Sequence, residues 1–330
     1  MDDKSLITDV IKQHTVPRFL LDNFGFSNKG KRKQLHTFDK KSDREYLQSV
    51  FDATTRNRFY NIDNHPEKAS LEPLLGIYES EAAPIFNKLI EQRNIRVLSK
   101  KDKEKLAIFI AIQRARSYGE LERIKGLIDG VSDKLVAIGA TPEQILKCIE
   151  MDSLEEIQHV FLRMVIASPT QAKILLDKDW YLYETNEDNP FYISDNPISF
   201  CNLNKNSHYG NIGLNVTGIQ IYMPISPTLC LALLCPSIKK KYFCMFGEYQ
   251  KIKQKSVEIS TEVQNIANRA KRFINHTTMK QSHENVTFLN SLQVIYSEQY
   301  IFNKYKNFDL VKRMISDNDN YRNGPRPAFN

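Results

Sequence analysis

Cysteine is scarce in this chain, long apolar runs are missing, and so are the signature motifs of the large enzyme families. The five cysteines among 330 residues are Cys148, Cys201, Cys230, Cys235 and Cys244. Their count is odd, their spacing is irregular and none forms a Cys-x-x-Cys pair. Neither a disulfide framework nor a structural zinc site is expected, and the thiols read as buried or reduced. The longest apolar stretch, IYMPISPTLCLALLC (221–235), is broken by two prolines and falls short of the ~20 residues a membrane helix needs. The opening MDDKSLITDV carries no basic segment followed by an apolar core, as a secretory leader would. A soluble, cytoplasmic protein with no membrane partner is expected. There is no Walker-type phosphate loop, Gly-x-Gly-x-x-Gly fingerprint, His-Glu-x-x-His pair or Gly-x-Ser-x-Gly elbow, which disfavours nucleotide-driven motor work and nicotinamide redox chemistry.

What is present is an ordinary globular composition, 41% hydrophobic and 26% charged, with a formal net charge of +7. That is mildly basic, and its distribution says more than its size. Between 231 and 280, ten Lys and Arg residues face Glu248, Glu258 and Glu262, so about +7 falls in one stretch. It reads as a solvated helix face or as a basic contact surface.

Residues 4–24 read as short helical pieces broken at Pro17, which suits the first turn of a new helix. QLHTFDK (34–40) alternates like a strand, and KGKRK (29–33) reads as a solvated loop tip. Leu71, Leu74, Leu75, Tyr78, Ala82, Ile85 and Leu89 recur on one face and predict a helix over 66–95. Further helices are expected over 100–118, capped by Ser99, over 119–139, and over 142–176 behind Thr141-Pro142-Glu143. After 180 the segments WYLYET, PFYISD, GIQIYMPIS and TLCLALLC are strand-like, the last two joined tightly. A helix is expected at 247–275, a strand at 286–297, and disorder over 316–330. The fold class is therefore α+β. A largely helical N-terminal half (about 1–176) precedes a small, mainly antiparallel sheet and a C-terminal helix, all in one domain over 1–315.

Several stretches together resemble one bacterial family, the domain-of-unknown-function family numbered four-two-three-eight. QHTVPRFLLDNF (13–24) resembles its opening His-x-x-Pro motif. Phe59-Tyr60 resembles its aromatic pair, and IYESEAAPIFNKLI (77–90) its helix with a Glu and a downstream Pro. IFIAIQRARS (108–117) resembles its helix ending in Gln and Arg, and FYISDNPISF (191–200) its Ser-Asp-Asn-Pro motif. GIQIYMPISPTLCLALL (218–234) resembles its Pro-Leu-Ser-Pro strand pair, with Ile225 where Leu is usual. IANRAKRFI (266–274) resembles its last helix. The resemblance spans about 13 to 275. Where the family often has an aromatic after the histidine, this chain has Thr15. The resemblance brings no activity of its own, but implies a phage-defence or toxin setting and, through it, nucleic-acid chemistry.

The candidate catalytic residues are His14, Asp195 and Glu79. A histidine near neutral pKa suits proton transfer, or bonds a backbone carbonyl and fixes the entry to the following helix. Asp195 either orients that histidine or holds a divalent cation, the candidate cofactor, or it simply ties its own turn. Glu79 is a carboxylate base or ligand, or an exposed helix residue. Gln13, Arg18, Gln113, Arg114, Arg116, Ser194, Asn196, Lys271 and Arg272 are candidates for gripping substrate phosphate. For Arg114 and Arg116 the alternative is compensation of a helix C-terminus. His36, His65, His159, His208, His276 and His283 show no ligand spacing.

Two functions from different classes follow. One is a nucleic-acid-acting, nuclease-like phosphodiesterase of phage-defence or toxin type, with RNA or DNA as partner. It requires His14, Asp195 and Arg116 to converge in one cleft. The other is a non-catalytic sensor or interaction component with a protein partner from a neighbouring defence gene. It requires the same motifs to be buried and hydrogen-bonded in service of the fold. A weaker third is a small-molecule enzyme with an unfamiliar pocket.

Overall fold

The computed structural model describes the chain except residues 1–5, 28–31, 63–68, 149–155, 205–211, 256–258, 276–277 and 328–330. It begins with β1 (Lys12–His14), α1 (Arg18–Leu21), β2 (Gln34–Asp39), β3 (Arg44–Ser49) and β4 (Thr55–Asn57). A helical run follows: α2 (Glu72–Gln92), α3 (Lys100–Ala115), α4 (Tyr118–Ala137), α5 (Pro142–Cys148), α6 (Ile157–Ala167) and α7 (Ala172–Leu176). Then come β5 (Asp179–Glu184), β6 (Ile193–Ser194), β7 (Ser199–Asn202), β8 (Ile219–Ser226) and β9 (Leu229–Leu234). The chain continues through α8 (Pro236–Gln254), α9 (Thr261–Asn275), β10 (Met279–Lys280), α10 (His283–Tyr296), β11 (Tyr300–Asn303) and α11 (Asp309–Asp317).

Local chemistry sets several boundaries. Ser99 and Asp102 exchange hydrogen bonds at the start of α3, each side chain accepting from the other's backbone N–H, a reciprocal cap. Thr141 and Gln144 do the same before α5. The Ser117 and Ser282 hydroxyls cap α4 and α10.

The largest sheet has the order β10-β5-β9-β8-β7 and is antiparallel except for the β10–β5 pair. Alternation sorts its residues onto two covered faces. Trp180, Leu182, Ile221, Met223, Leu231 and Leu233 pack with α2 and α3 in the main core. Tyr181, Tyr183, Tyr222, Cys230 and Ala232 pack with Phe273 of α9 and with Val286, Leu289 and Leu292 of α10. Burial on both faces is why β8 and β9 read as near-continuous apolar runs. A second sheet, β3-β2-β11-β6, joins strands from both ends of the chain, and β1 pairs with β4 in a small ribbon. Among the described residues, no helix is long and apolar enough to cross a membrane.

The α+β class stands as expected, with differences in detail. Residues before Pro17 form β1 rather than helix, because Gln13 and His14 pair with Arg56 and Thr55. Strands are not confined to the region after 180, since β2 and β3 hold half of the second sheet. The expected helix over 142–176 is several pieces and that over 247–275 is two. Residues 286–297, expected as a strand, lie in α10. Val286, Leu289, Leu292 and Gln293 share one buried helical face, and tertiary burial overrides the strand-forming composition. The tail is ordered as far as described. Residues 316–327 carry the end of α11 and a turn at Asp319–Arg322, held by Lys40 and Glu298, while 328–330 lie outside the described residues. So do His65, His208, His276 and the first residues of the KGKRK loop.

Candidate functional site

The opening motif folds around a buried arginine. Arg116, at the end of α3, is 1% exposed, so its charge must be met inside the protein. Its Nη2 donates to Glu79 Oε1 at 2.7 Å and to the His14 carbonyl at 2.9 Å, and Nε reaches the Thr15 carbonyl at 3.5 Å. Gln113 Nε2 donates to the same Thr15 carbonyl at 2.9 Å. The Tyr60 hydroxyl donates to the Arg116 carbonyl at 2.9 Å, and the Tyr60 N–H to Gln13 Oε1 at 2.6 Å. Gln13 Nε2 in turn donates to Asn61 Oδ1 and Ser70 Oγ. Gln13, Gln113 and Arg116 thus hold the backbone of β1 in place. These bonds go to protein groups, which supports a structural role for the three side chains over the phosphate-binding one. Glu79 is the half-buried counter-ion of this centre rather than a solvated helix residue.

His14 stands at the edge of that centre, half-buried. Its Nε2 lies 3.1 Å from the Phe51 carbonyl. A carbonyl only accepts, so Nε2 carries the hydrogen and Nδ1 keeps the lone pair. Burial, then the positive charge of Arg18, pushes the imidazole below its usual value, against the Phe51 carbonyl and Glu79, which raise it. The ring is therefore neutral at neutral pH, with one nitrogen able to take a proton.

The turn that supplies the Phe51 carbonyl is fixed to β1. Thr54 has φ 58°, a left-handed conformation that β-branched residues avoid at a cost of about 1–3 kcal/mol. Its hydroxyl donates to the Val16 carbonyl at 3.2 Å and accepts from the Val16 N–H at 3.3 Å, and its carbonyl accepts from Thr15 N–H at 3.1 Å. Beyond this turn lies an open groove of about 640 Å³, lined by Arg18, Phe19, Asp22, Arg32, Lys33 and Phe51. The exposed Phe51 ring carries the guanidinium of Arg32 at 4.4 Å and that of Arg18 at 5.5 Å. Among the described residues neither arginine has a carboxylate partner within salt-bridge distance.

Asp195 is somewhere else, and it is occupied. Its Oδ1 accepts the Glu298 N–H at 2.8 Å, and Oδ2 accepts the N–H groups of Gln299 at 2.8 Å and Tyr300 at 2.9 Å. Burial pushes its carboxyl up, while those three donors and the Lys40 ammonium pull it back down. Lys40 is itself fully buried and donates to the carbonyls of Val294, Ser297 and Tyr321 at 2.7–2.8 Å. Burial lowers its pKa to about 8. Glu298 completes this knot, taking both Nη atoms of Arg326 at 2.9 Å and the Gly324 N–H at 3.1 Å. Asp195 therefore neither orients His14 nor has a free oxygen for a divalent cation. The charged groups that act on His14 include Arg18, Glu79 and Arg116, and Asp52, paired with Lys12, also interacts with it. No set of three or more His, Cys, Asp or Glu side chains among the described residues is placed to hold a metal ion.

The other candidates divide. Ser194 bonds Gln293 Oε1 and the Asn196 carbonyl, closing the Ser-Asp-Asn-Pro turn. Asn196 and Arg114 line a separate cavity beside α4. Lys271 and Arg272 are exposed on α9, where Arg272, Arg269 and Lys280 line a polar pocket behind the large sheet. Sequence reasoning missed Phe51, Arg32, Lys40 and Glu72. Glu72, the first residue of α2, has a buried and unpartnered Oε2, and burial raises its pKa to about 7. Residues 44–49, REYLQS, do not alternate apolar and polar, so no local strand signal placed Phe51 in a turn, and nothing local marks Lys40 or Glu72 as buried.

Fold and site together define a mixed α+β protein with a buried arginine centre beneath a basic surface groove. The family described as Protein of unknown function (DUF4238) matches residues 12–307, and the chain belongs to that family. No curated protein and no solved structure matches it.

Proposed function

We propose that the chain acts on nucleic acid in the groove beside His14, as a nuclease-like phosphodiesterase in which His14 takes up a proton. The observation that carries this reading is the His14 Nε2–Phe51 carbonyl bond, which leaves a neutral imidazole able to take a proton at Nδ1 and ties it to Phe51, a residue that lines the cationic groove. His14 would accept the proton of the attacking hydroxyl as the new P–O bond forms, and the leaving oxygen would be protonated from solvent. Arg18, Arg32 and Lys33 would neutralise the phosphate, since the two guanidiniums gather over the Phe51 ring without a carboxylate partner among the described residues. The Phe51 ring offers a stacking surface for a base. The convergence of His14, Asp195 and Arg116 set out for a nuclease is not met, so this reading rests on His14 and the groove alone: Asp195 has no part in it, and Arg116, with Glu79 as its counter-ion, holds the His14 carbonyl. A phage-defence or toxin role fits such an activity.

A second reading has its own support. Gln13, Tyr60, Gln113 and Arg116 are buried and bonded to backbone, as a non-catalytic sensor with a protein partner would have them. The two readings separate in one experiment. Wild type, His14→Gln and Arg32→Glu are incubated with single-stranded RNA and DNA, and binding and cleavage are both followed. Cleavage by wild type, binding without cleavage by His14→Gln, and loss of both in Arg32→Glu are expected. Binding without cleavage by wild type selects the sensor, and no binding by any form removes both readings.

A further inference from the structure

The cavity reached by Asn196 and Arg114 has an unbalanced charge. It measures about 350 Å³, near the lower end of small-ligand sites, and Phe200, Leu214 and Tyr296 form its apolar wall. Three guanidiniums face it: Arg114, Arg123 and Arg326. Two are neutralised within the protein. Arg123 grips Glu120 Oε2 through Nε at 3.0 Å and Nη2 at 2.7 Å, and Arg326 grips Glu298 through both Nη atoms. Arg114 is different. Its Nη2 donates to the neutral Gln171 Oε1 at 3.0 Å, its Nε is buried without a partner, and no described carboxylate lies within salt-bridge distance. Arg114 is part-buried, and Glu120, already gripped by Arg123, acts on it only from beyond salt-bridge distance, so a counter-charge from outside the chain would complete the site.

We infer that this cavity is a binding site for a small organic anion, with its phosphate or carboxylate on Arg114 and its aromatic or apolar body against Phe200, Leu214 and Tyr296. The site is separate from the His14 groove, and either can fail without the other. Asn196, which links the Ser-Asp-Asn-Pro turn to this cavity, packs against Gly119. A Cβ at Gly119 would meet its Nδ2 at 3.4 Å, so the floor of the cavity is closely built.

The test is calorimetric titration of the full chain with adenosine 5′-monophosphate, 4-hydroxybenzoate, adenosine and inorganic phosphate. At least one of the two two-part probes is expected to bind about tenfold or more tightly than adenosine or inorganic phosphate. Preference between the phosphate and the carboxylate probe then names the source of the anion. Arg114→Gln should weaken that binding about tenfold or more while leaving the unliganded melting temperature unchanged or higher, because a part-buried cation with no ion-pair partner has been removed. Should Arg114→Gln fail to fold, Leu214→Trp, which fills the cavity from its partly exposed wall, is expected to abolish binding. Failure of both two-part probes to bind wild type, or unchanged binding in Arg114→Gln or in Leu214→Trp, overturns the inference.

Discussion

Replacing Asp195 with alanine measures what its carboxylate does for the fold. The side chain accepts three backbone N–H groups at 2.8–2.9 Å. Removing it strands the Glu298 donor in a fully buried place, at about 1–3 kcal/mol. The Gln299 and Tyr300 donors are part-buried and recover water, so each costs about 1 kcal/mol. The Lys40 ammonium also loses the negative charge that does most to offset its burial. The total is about 3–5 kcal/mol, against about 5–15 kcal/mol for the whole of a typical domain. At roughly 2–3 °C per kcal/mol for a chain of this size, Asp195→Ala should melt roughly 6–15 °C below wild type. Asp195→Asn should fall between the two, because it keeps one acceptor oxygen but turns an amide donor toward another donor. Circular dichroism melts at neutral pH read the effect. An Asp195→Ala protein that melts within about 2 °C of wild type yet has lost its activity would refute the reasoning and return Asp195 to the chemistry.

Glu72 carries a pH signature. Its folded value of about 7 lies above the ordinary 4.5, so the folded state holds a proton more tightly between the two, and stability falls as pH rises through that window. Glu72→Gln should stabilise the protein by about 1–2 kcal/mol near pH 8, discounted for partial exposure, and change little near pH 4 by the same melts. His14 runs the other way: its folded value lies below 6.5, so its contribution is present above that pH and is lost as pH falls toward the folded value. His14→Gln should remove this acid-side loss from the stability profile. If cleavage is found, the acid limb of kcat/KM should have an apparent pKa below 6.5. Arg116→Ala leaves Glu79 without its cation and takes a donor from the His14 carbonyl, while Thr15 keeps Gln113, and should cost about 3–5 kcal/mol in denaturant titrations, an effect of the size expected for breaking a buried ion pair.

The helices of the first half were legible because their signals are local. Ser99 caps α3 as read, and the apolar spacing from Leu71 to Leu89 marks the buried face of α2. The β8–β9 pair was legible for the same reason, with two apolar runs around a Pro-Thr link. What was not legible depends on partners far away in the chain. β1 becomes a strand because of β4, and α10 is a helix because its apolar face lies between the large sheet and α11. At the site, His14, Glu79 and Arg116 do come together, although they are 65 and 102 positions apart. Asp195 could not be placed by inspection. A Ser-Asp-Asn-Pro turn reads alike whether its carboxylate faces a ligand or the backbone of residues 298–300.

The knot around Lys40 has a consequence for how the chain is made. It ties a lysine near the start to carbonyls at 294, 297 and 321, while Glu298 waits for Gly324 and Arg326. A ribosome delivers residues 294–326 long after Lys40. Until residues 321–326 have emerged, Lys40 lacks one of its three acceptors and Glu298 lacks its strongest counter-ion. The second sheet should therefore lock only once residues 321–326 have emerged, and a protein trimmed at residue 307, where the family match ends, would leave Lys40 one acceptor short and Glu298 with Lys41 as its remaining cation.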